Sequence, residues 1–255
     1  MTFATSADVY DRHVGRYVPE LSRALVSVAG VEPGWHVLDV GCGPGGLTSV
    51  LADLVGADGV AAIEPSESFV AGCRERVPGA DVRLGVAEDL PFANGEFDGA
   101  LSQLFVNFME DAIAGVGEMR RVTRPGGVVA SCVWDYSGEM TMLRAFWDAA
   151  LELDPDAPDE GRTMRFCVEG ELGELWERCG LEDVRSGSLA VSARYADFND
   201  YWSPFPTGLA PSGAYCASLD VRGQAALREA CFVRLGSPAG PFTLRARAWY
   251  AVGRR

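Results

Sequence analysis

From residue 35 the chain alternates short apolar runs with longer stretches in which apolar residues recur every three or four positions. The runs Val37–Val40, Gly59–Ile63, Val82–Val86, Phe97–Gln103 and Val128–Trp134 predict five strands. Between them, Leu47–Val55, Ser66–Arg76 and Asp111–Val122 carry helical spacing. The runs are apolar on successive rather than alternate residues, as in strands covered on both faces. Repeated strand–helix alternation therefore predicts a parallel sheet with helices on either side.

Outside this stretch the pattern is less regular. Asp8 to Ala29 has apolar residues at helical spacing, and Pro19 suits either a break between two short helices or the first turn of the second. Thr141–Leu153, Glu169–Cys179 and a piece near Arg222–Leu235 read as helices, with Gly180 just past the end of the second. Leu181–Ala193 and Phe242–Val252 read as two further strands. The expected architecture is a single α/β domain over 1–255, with a Rossmann-like, doubly wound, mostly parallel seven-stranded sheet and helices on both faces. Residues 1–30 would form a helical lid, 35–135 a ligand-binding half, and 136–255 a second half with an insertion at about 197–240 before the last strand.

Composition agrees, since 255 residues with 48% hydrophobic and 23% charged side chains are ordinary for a packed domain. Charge narrows the partner. A formal net charge of −14 and a pI of about 4.6 repel a phosphate backbone, and the arginines are scattered. Nucleic acid is therefore not an expected partner, and a small neutral or cationic molecule is. Seven cysteines stand singly and no secretory signal precedes them, so the expected compartment is a reducing cytoplasm. With two histidines and no CxxC pair, no zinc cluster is expected, and no apolar run reaches the length of a membrane span.

Gly41, Gly43 and Gly46 spell GxGxxG between a strand and a helix, a turn that brings a ligand close to the backbone at a helix N-terminus. The spelling alone does not separate a dinucleotide from other ligands. Asp39 does more, because a carboxylate at the end of that strand disfavours a pyrophosphate and suits a cationic amino group. Glu64 ends the second strand about 20 residues further on, where an acid accepts hydrogen bonds from ribose hydroxyls. Both acids and the loop fall at the carboxyl edge of the sheet, where open α/β folds bind ligands.

With these features, residues from about 10 to 135 resemble the class I S-adenosylmethionine-dependent methyltransferases, specifically the small-molecule group that includes quinone-biosynthesis enzymes. Val37–Thr48, Glu64–Glu67, Ala87–Phe92, Phe97–Ala100 and Arg120–Gly127 carry the likeness in this order and spacing. The resemblance implies S-adenosyl-L-methionine as cofactor and S-adenosyl-L-homocysteine as product. It implies that Gly41, Gly43 and Gly45 line the methionine part, that Glu64 bonds the ribose, and that Pro65 and Ser66 border the adenine. Ala87 would offer its amide to the adenine with Glu88 beside it, and Gln103 would sit under the methionine moiety. Val86 departs from the family, which often has an aspartate there for the adenine amino group; Glu88, a backbone carbonyl or water would substitute. The string Val9–Tyr17 resembles the family's N-terminal lid, in which Arg16 would pair with the cofactor carboxylate and Tyr10 or Tyr17 would close over the methyl group. Docking of the first helix by these same aromatics is the equal alternative.

Methyl transfer from a sulfonium is an in-line displacement activated mainly by the cofactor, so no catalytic triad is required, and none is visible. If a base is needed, His13 is the candidate, against the plainer reading of a surface helix histidine. Asp135 is an isolated candidate metal ligand without partners, so no metal is expected. Phe105, Phe108, Trp134, Tyr136, Phe146, Trp147, Tyr201, Trp202, Phe205 and Tyr215 are candidate walls of an apolar pocket, with Trp202–Tyr215 as a substrate-side loop. The expected activity is methyl transfer to a small hydrophobic or aromatic acceptor. A non-catalytic S-adenosylmethionine-binding module and an NAD(P)-dependent oxidoreductase are the alternatives, and the acceptor atom, pathway and oligomeric state stay open.

Overall fold

The computed structural model describes residues 11–255, so the expected contribution of Tyr10 lies outside the described residues. Seven strands form one sheet in the order β3-β2-β1-β4-β5-β7-β6. They are β1 (Val37–Val40), β2 (Val60–Glu64), β3 (Asp81–Leu84), β4 (Phe97–Gln103), β5 (Thr123–Trp134), β6 (Glu182–Tyr195) and β7 (Phe242–Arg254). Strands β1 to β5 are parallel, with Leu38 opposite Ala61 of β2 on one side and Ala100 of β4 on the other. β7 runs antiparallel to both β5 and β6. Every residue of β1 and β2 is buried, which is why these strands read as apolar runs broken only by Asp39 and Glu64 near their carboxyl ends. β5 starts earlier than its apolar run, because Thr123 already pairs with Phe97 ahead of an irregularity in the register.

Helices α1 (Val18–Ala29), α2 (Gly46–Val55) and α3 (Glu67–Arg76) form one layer, and α4 (Ala112–Val122) packs with α6 (Glu171–Arg178) in another. Pro19 lies in the first turn of α1, where a missing N–H costs nothing, and a short 3-10 turn at Val14–Tyr17 precedes it. The connection from β6 to β7 holds α7 (Phe198–Trp202), α8 (Ala210–Ser218) and α9 (Val221–Arg234), of which α8 and α9 pack on α5 (Thr141–Leu153). Sequence periodicity shows only α9. α7 and α8 are too short, and too close to Pro204, Pro206 and Pro211, to display a helical repeat.

The strand order reverses at β1. The chain runs outward from β1 to β3, then returns to β4 on the other side of β1, so that a crevice opens beyond their carboxyl ends. Away from the crevice, α6 docks on the half of the sheet formed by β5, β7 and β6. Trp176 of α6 is fully buried, and its indole N–H donates to the Val129 carbonyl of β5 at 2.9 Å. Trp176→Ala is expected to lower unfolding stability by about 3–5 kcal/mol, read by urea denaturation. A loss below about 1 kcal/mol would show that the docking does not depend on this side chain.

Candidate active site

A cleft of about 1440 Å³ occupies the crevice. Asp39, Gly41, Gly43, Glu64, Pro65, Ser66, Glu88 and Gln103 line it, as do His13 and Arg16 from the lead-in to α1. The structure thus brings together residues spread over the first hundred positions, through the ends of β1, β2 and β4.

The glycine turn follows from backbone sterics. Gly41 (φ 74°), Gly43 (φ 53°) and Gly45 (φ 89°) are all left-handed, a conformation that side chains resist. At Gly41 a Cβ would come within 2.0 Å of the Phe105 ring, whereas at Gly43 it would meet nothing within 4 Å. Phe105 reaches that position because Leu104, left-handed at φ 59°, turns the chain off β4 with its N–H on the Cys132 carbonyl at 2.8 Å. Gly45 faces elsewhere: a Cβ there would lie 2.9 Å from Cys73 Sγ of α3, so it allows α2 to start against α3 and does not line the cleft.

Two acids set the electrostatics. Asp39 is buried; its Oδ2 accepts a 2.7 Å hydrogen bond from the Thr48 hydroxyl, and its Oδ1 has no partner. Burial pushes its carboxyl up to about 7, against the pull of Thr48 and with help from the nearby Glu64. Glu64 accepts from the N–H groups of Gly43 and Ser66, both at 3.0 Å, and so ties the glycine turn to the end of β2. Burial still raises its pKa despite these two bonds. Gln103 ends β4 with its Oε1 buried and unpartnered.

Several expected roles are not what the structure arranges. Tyr17 is fully buried outside the cleft lining; its hydroxyl shares a 3.1 Å hydrogen bond with Tyr195 of β6, and its ring meets Trp134 edge-on. It docks the lead-in instead of closing over a ligand. Arg16 lines the cleft, but Asp200 holds its guanidinium at 3.0 and 3.2 Å, and it lies 4.1 Å over the Tyr195 ring. His13 is no surface histidine: it is buried edge-on to Phe205 with Nε2 unpartnered. Burial and the Arg16 charge push it down to about 3, so the fold removes the near-neutral proton affinity that made it a candidate base. Ala87 is buried beside Gly115 of α4 and does not line the cleft, and Glu88 accepts from the Asp111 N–H at 3.2 Å. Asp135 is bound by Arg247 at 2.7 Å, and among the described residues no cluster of metal-ligating side chains exists.

The aromatic candidates divide in two. Phe105, Phe108, Trp134 and Tyr136 line the cleft. Phe146, Trp147, Tyr201, Trp202, Phe205 and Tyr215 pack behind it, with Phe146 stacked on Phe205 at 4.4 Å. Tyr201 donates to the Met142 carbonyl and Tyr215 to Asp154, so the segment Trp202–Tyr215 reaches the cleft through Leu209, Ala210 and Pro211, not through tyrosines. The sequence reading missed Asn107 and Glu160, which also line the cleft, are buried, and each carry an unpartnered oxygen. No sequence signal marks either, since burial alone distinguishes them.

Comparison with known proteins agrees with this geometry. Residues 38–131 match the family model described as a methyltransferase domain. A demethylmenaquinone methyltransferase of Desulfitobacterium hafniense is 29% identical over 189 residues, 66% of this chain and 74% of that protein. An uncharacterized protein of Mycobacterium tuberculosis is 35% identical over 191 residues, covering 71% of this chain and 69% of its own length. The solved structure of a candidate type II methyltransferase from Anaeromyxobacter dehalogenans has the same fold, with a TM-score of 0.66 at 22% identity over 94% of this chain and 97% of that one. The chain belongs to the class I S-adenosylmethionine-dependent methyltransferases.

The residues present fit that cofactor. Asp39 Oδ1 and Gln103 Oε1 are buried acceptors lacking a donor, the complement of an ammonium group. The open backbone at Gly43 admits close approach, and no basic side chain neutralises either acid.

Two outcomes follow. Gly41→Ala is expected to weaken S-adenosylhomocysteine binding at least about tenfold and to cost about 1–3 kcal/mol of stability, through its φ and its contact with Phe105. Calorimetric titration and thermal unfolding check it, and unchanged affinity would contradict the packing. Asp39 also sets a pH dependence. Between its ordinary value and about 7 it is ionised when unfolded and protonated when folded, so it subtracts stability progressively as pH rises through that window. Asp39→Asn should therefore show a flatter fall in Tm from about pH 5.5 to 8 than the parent; parallel curves would exclude the effect.

Proposed function

We propose that the chain transfers the methyl group of S-adenosylmethionine to a small hydrophobic or aromatic acceptor. The observation that carries this reading is the division of one cleft into two walls. The ends of β1, β2 and β4 present polar groups, while Phe105, Phe108, Trp134, Tyr136, Leu143, Met164 and Leu209 present apolar surface facing the same space. The demethylmenaquinone methyltransferase named above acts, by its name, on a quinone, which supports a flat aromatic guest.

When bound, the cofactor supplies an electrophilic methyl group on a cationic sulfur. Asp39 and Gln103 would hold its amino group and Glu64 its ribose, and Pro65, Ser66 and Glu88 would border its adenine. The apolar wall excludes water and aligns the acceptor, which is most of what an in-line displacement asks of a protein. Arg16 contributes by holding the lead-in shut through Asp200. The acidic surface supports a non-nucleic-acid substrate, and the single cysteines support a reducing, cytoplasmic setting. No helix among the described residues is long and apolar enough to cross a membrane.

The test is formation of S-adenosylhomocysteine with a panel of small quinols, phenols and aromatic amines beside polar non-aromatic acceptors. Turnover is expected with an aromatic member, and Phe108→Ala should raise its KM about tenfold while S-adenosylhomocysteine affinity stays within about twofold. Turnover confined to non-aromatic acceptors, or an unchanged KM, would overturn the reading.

A further inference from the structure

Glu160 is a buried acid of the cleft wall to which the cofactor reading assigns no role. It begins a single 3-10 turn, Glu160–Arg162, and its neighbour Asp159 caps that turn by accepting from the Gly161 N–H at 2.9 Å. Arg144 of α5 grips Asp159 at 2.8 and 3.0 Å and also pairs with Asp148. Glycine at 161 leaves room for this grip, since a Cβ there would lie 2.6 Å from Arg144 Nη1 and 3.0 Å from the Tyr136 carbonyl. The clamp fixes Glu160 in the cleft wall, 3% exposed, with Oε2 bonded to nothing.

A second unpartnered oxygen stands in the same wall. Asn107, 4% exposed, donates through Nδ2 to Met164 Sδ at 3.6 Å, leaving Oδ1 without a donor. Met164 in turn donates its N–H to the Glu160 carbonyl at 2.9 Å, so both side chains are held by one short segment. No basic residue lines the cleft among the described positions 104–110, 134–164 and 209–211. The arginines nearest this wall point elsewhere: Arg16 is held by Asp200, Arg144 by Asp159 and Asp148, and Arg165 by the main-chain carbonyls of Asn107 and Met109. Two buried side-chain oxygens, one of them a carboxyl's, with no cation bonded to either, suit a ligand that brings donors and positive charge.

We propose that Glu160 and Asn107 form a subsite for the ammonium group of an aromatic amine, making this a methyltransferase whose acceptor carries a cationic nitrogen. This builds on the aromatic-acceptor reading above and adds the charge. The groups acting on Glu160 are Asp159 beside it, Arg144 from α5, and Trp147, whose indole faces the carboxyl and, like Arg144, pulls its pKa down. Burial first, then Asp159, pushes the Glu160 carboxyl up to about 8. The Glu160 carboxyl is therefore mostly protonated at neutral pH, and an arriving ammonium ion displaces that proton to solvent.

The experiment titrates the S-adenosylhomocysteine-loaded protein with three probes of one shape: naphthylethylamine, naphthylethanol and naphthylacetate. The amine is expected to bind at least about tenfold tighter than the alcohol and carboxylate at pH 8, and its advantage should grow from about pH 6 to 8. In Glu160→Gln the amine advantage should shrink to within about threefold and lose its pH dependence, while S-adenosylhomocysteine affinity is retained and reports an intact fold. If the alcohol or carboxylate binds as well as the amine, or the preference survives Glu160→Gln, the subsite proposal fails and the aromatic reading stands. If none of the three binds, the aromatic reading fails and takes the proposal with it.

Discussion

Asp39 and Glu64 are carboxyls buried at the ends of adjacent strands, and neither is answered by a basic side chain. Glu64 is satisfied by backbone, through the N–H groups of Gly43 and Ser66, and so fixes the turn between β1 and α2. Asp39 is only half satisfied, by Thr48. Burying an acid without a counter-charge is costly, and in the proposed reading a cationic ligand offsets that cost. That constraint selects among nucleotide-like ligands: a pyrophosphate would add charge of the wrong sign to a wall that already lacks a positive one.

The same logic extends across the cleft. The cofactor wall comes from one continuous stretch of chain, the part that matches the family model. The facing wall is gathered from the lead-in, the turn after β4, the segment around α5 and the insertion after β6. The antiparallel strands β6 and β7 make this possible, because they carry the insertion back over the carboxyl edge of the sheet, where α8 and α9 pack on α5. On the proposed function, donor binding is built into the sheet and acceptor binding into what is laid over it.

How much could be read beforehand follows the same division. β1 to β4, Asp39, Glu64 and Gln103 were legible because each acid or amide stands at the end of an apolar run, where local pattern and sheet geometry coincide. The sequence left Tyr17 open between closing over a ligand and docking the lead-in, and gave no sign of the Arg16 ion pair, because their partners, Tyr195 and Asp200, lie 178 and 184 residues further along the chain. Gly45 is a glycine for the sake of Cys73 on a neighbouring helix, a contact no motif displays. Glu160 follows a short run of Pro and Asp residues with no apolar periodicity, and its burial beside the Arg144–Asp159 clamp is set by α5, not by local pattern.

The most direct test of the central claim, that a cationic amino group completes Asp39, is a count of protons. Calorimetric titration with S-adenosylhomocysteine at about pH 6, repeated in buffers of different ionisation enthalpy, gives the number released on binding. Asp39 is protonated at that pH in the free protein and must ionise to pair with an ammonium group. Most of one proton should therefore be released by the parent, and far less by Asp39→Asn. Binding heats that do not depend on the buffer in the parent, or equal release from both proteins, would contradict the claim.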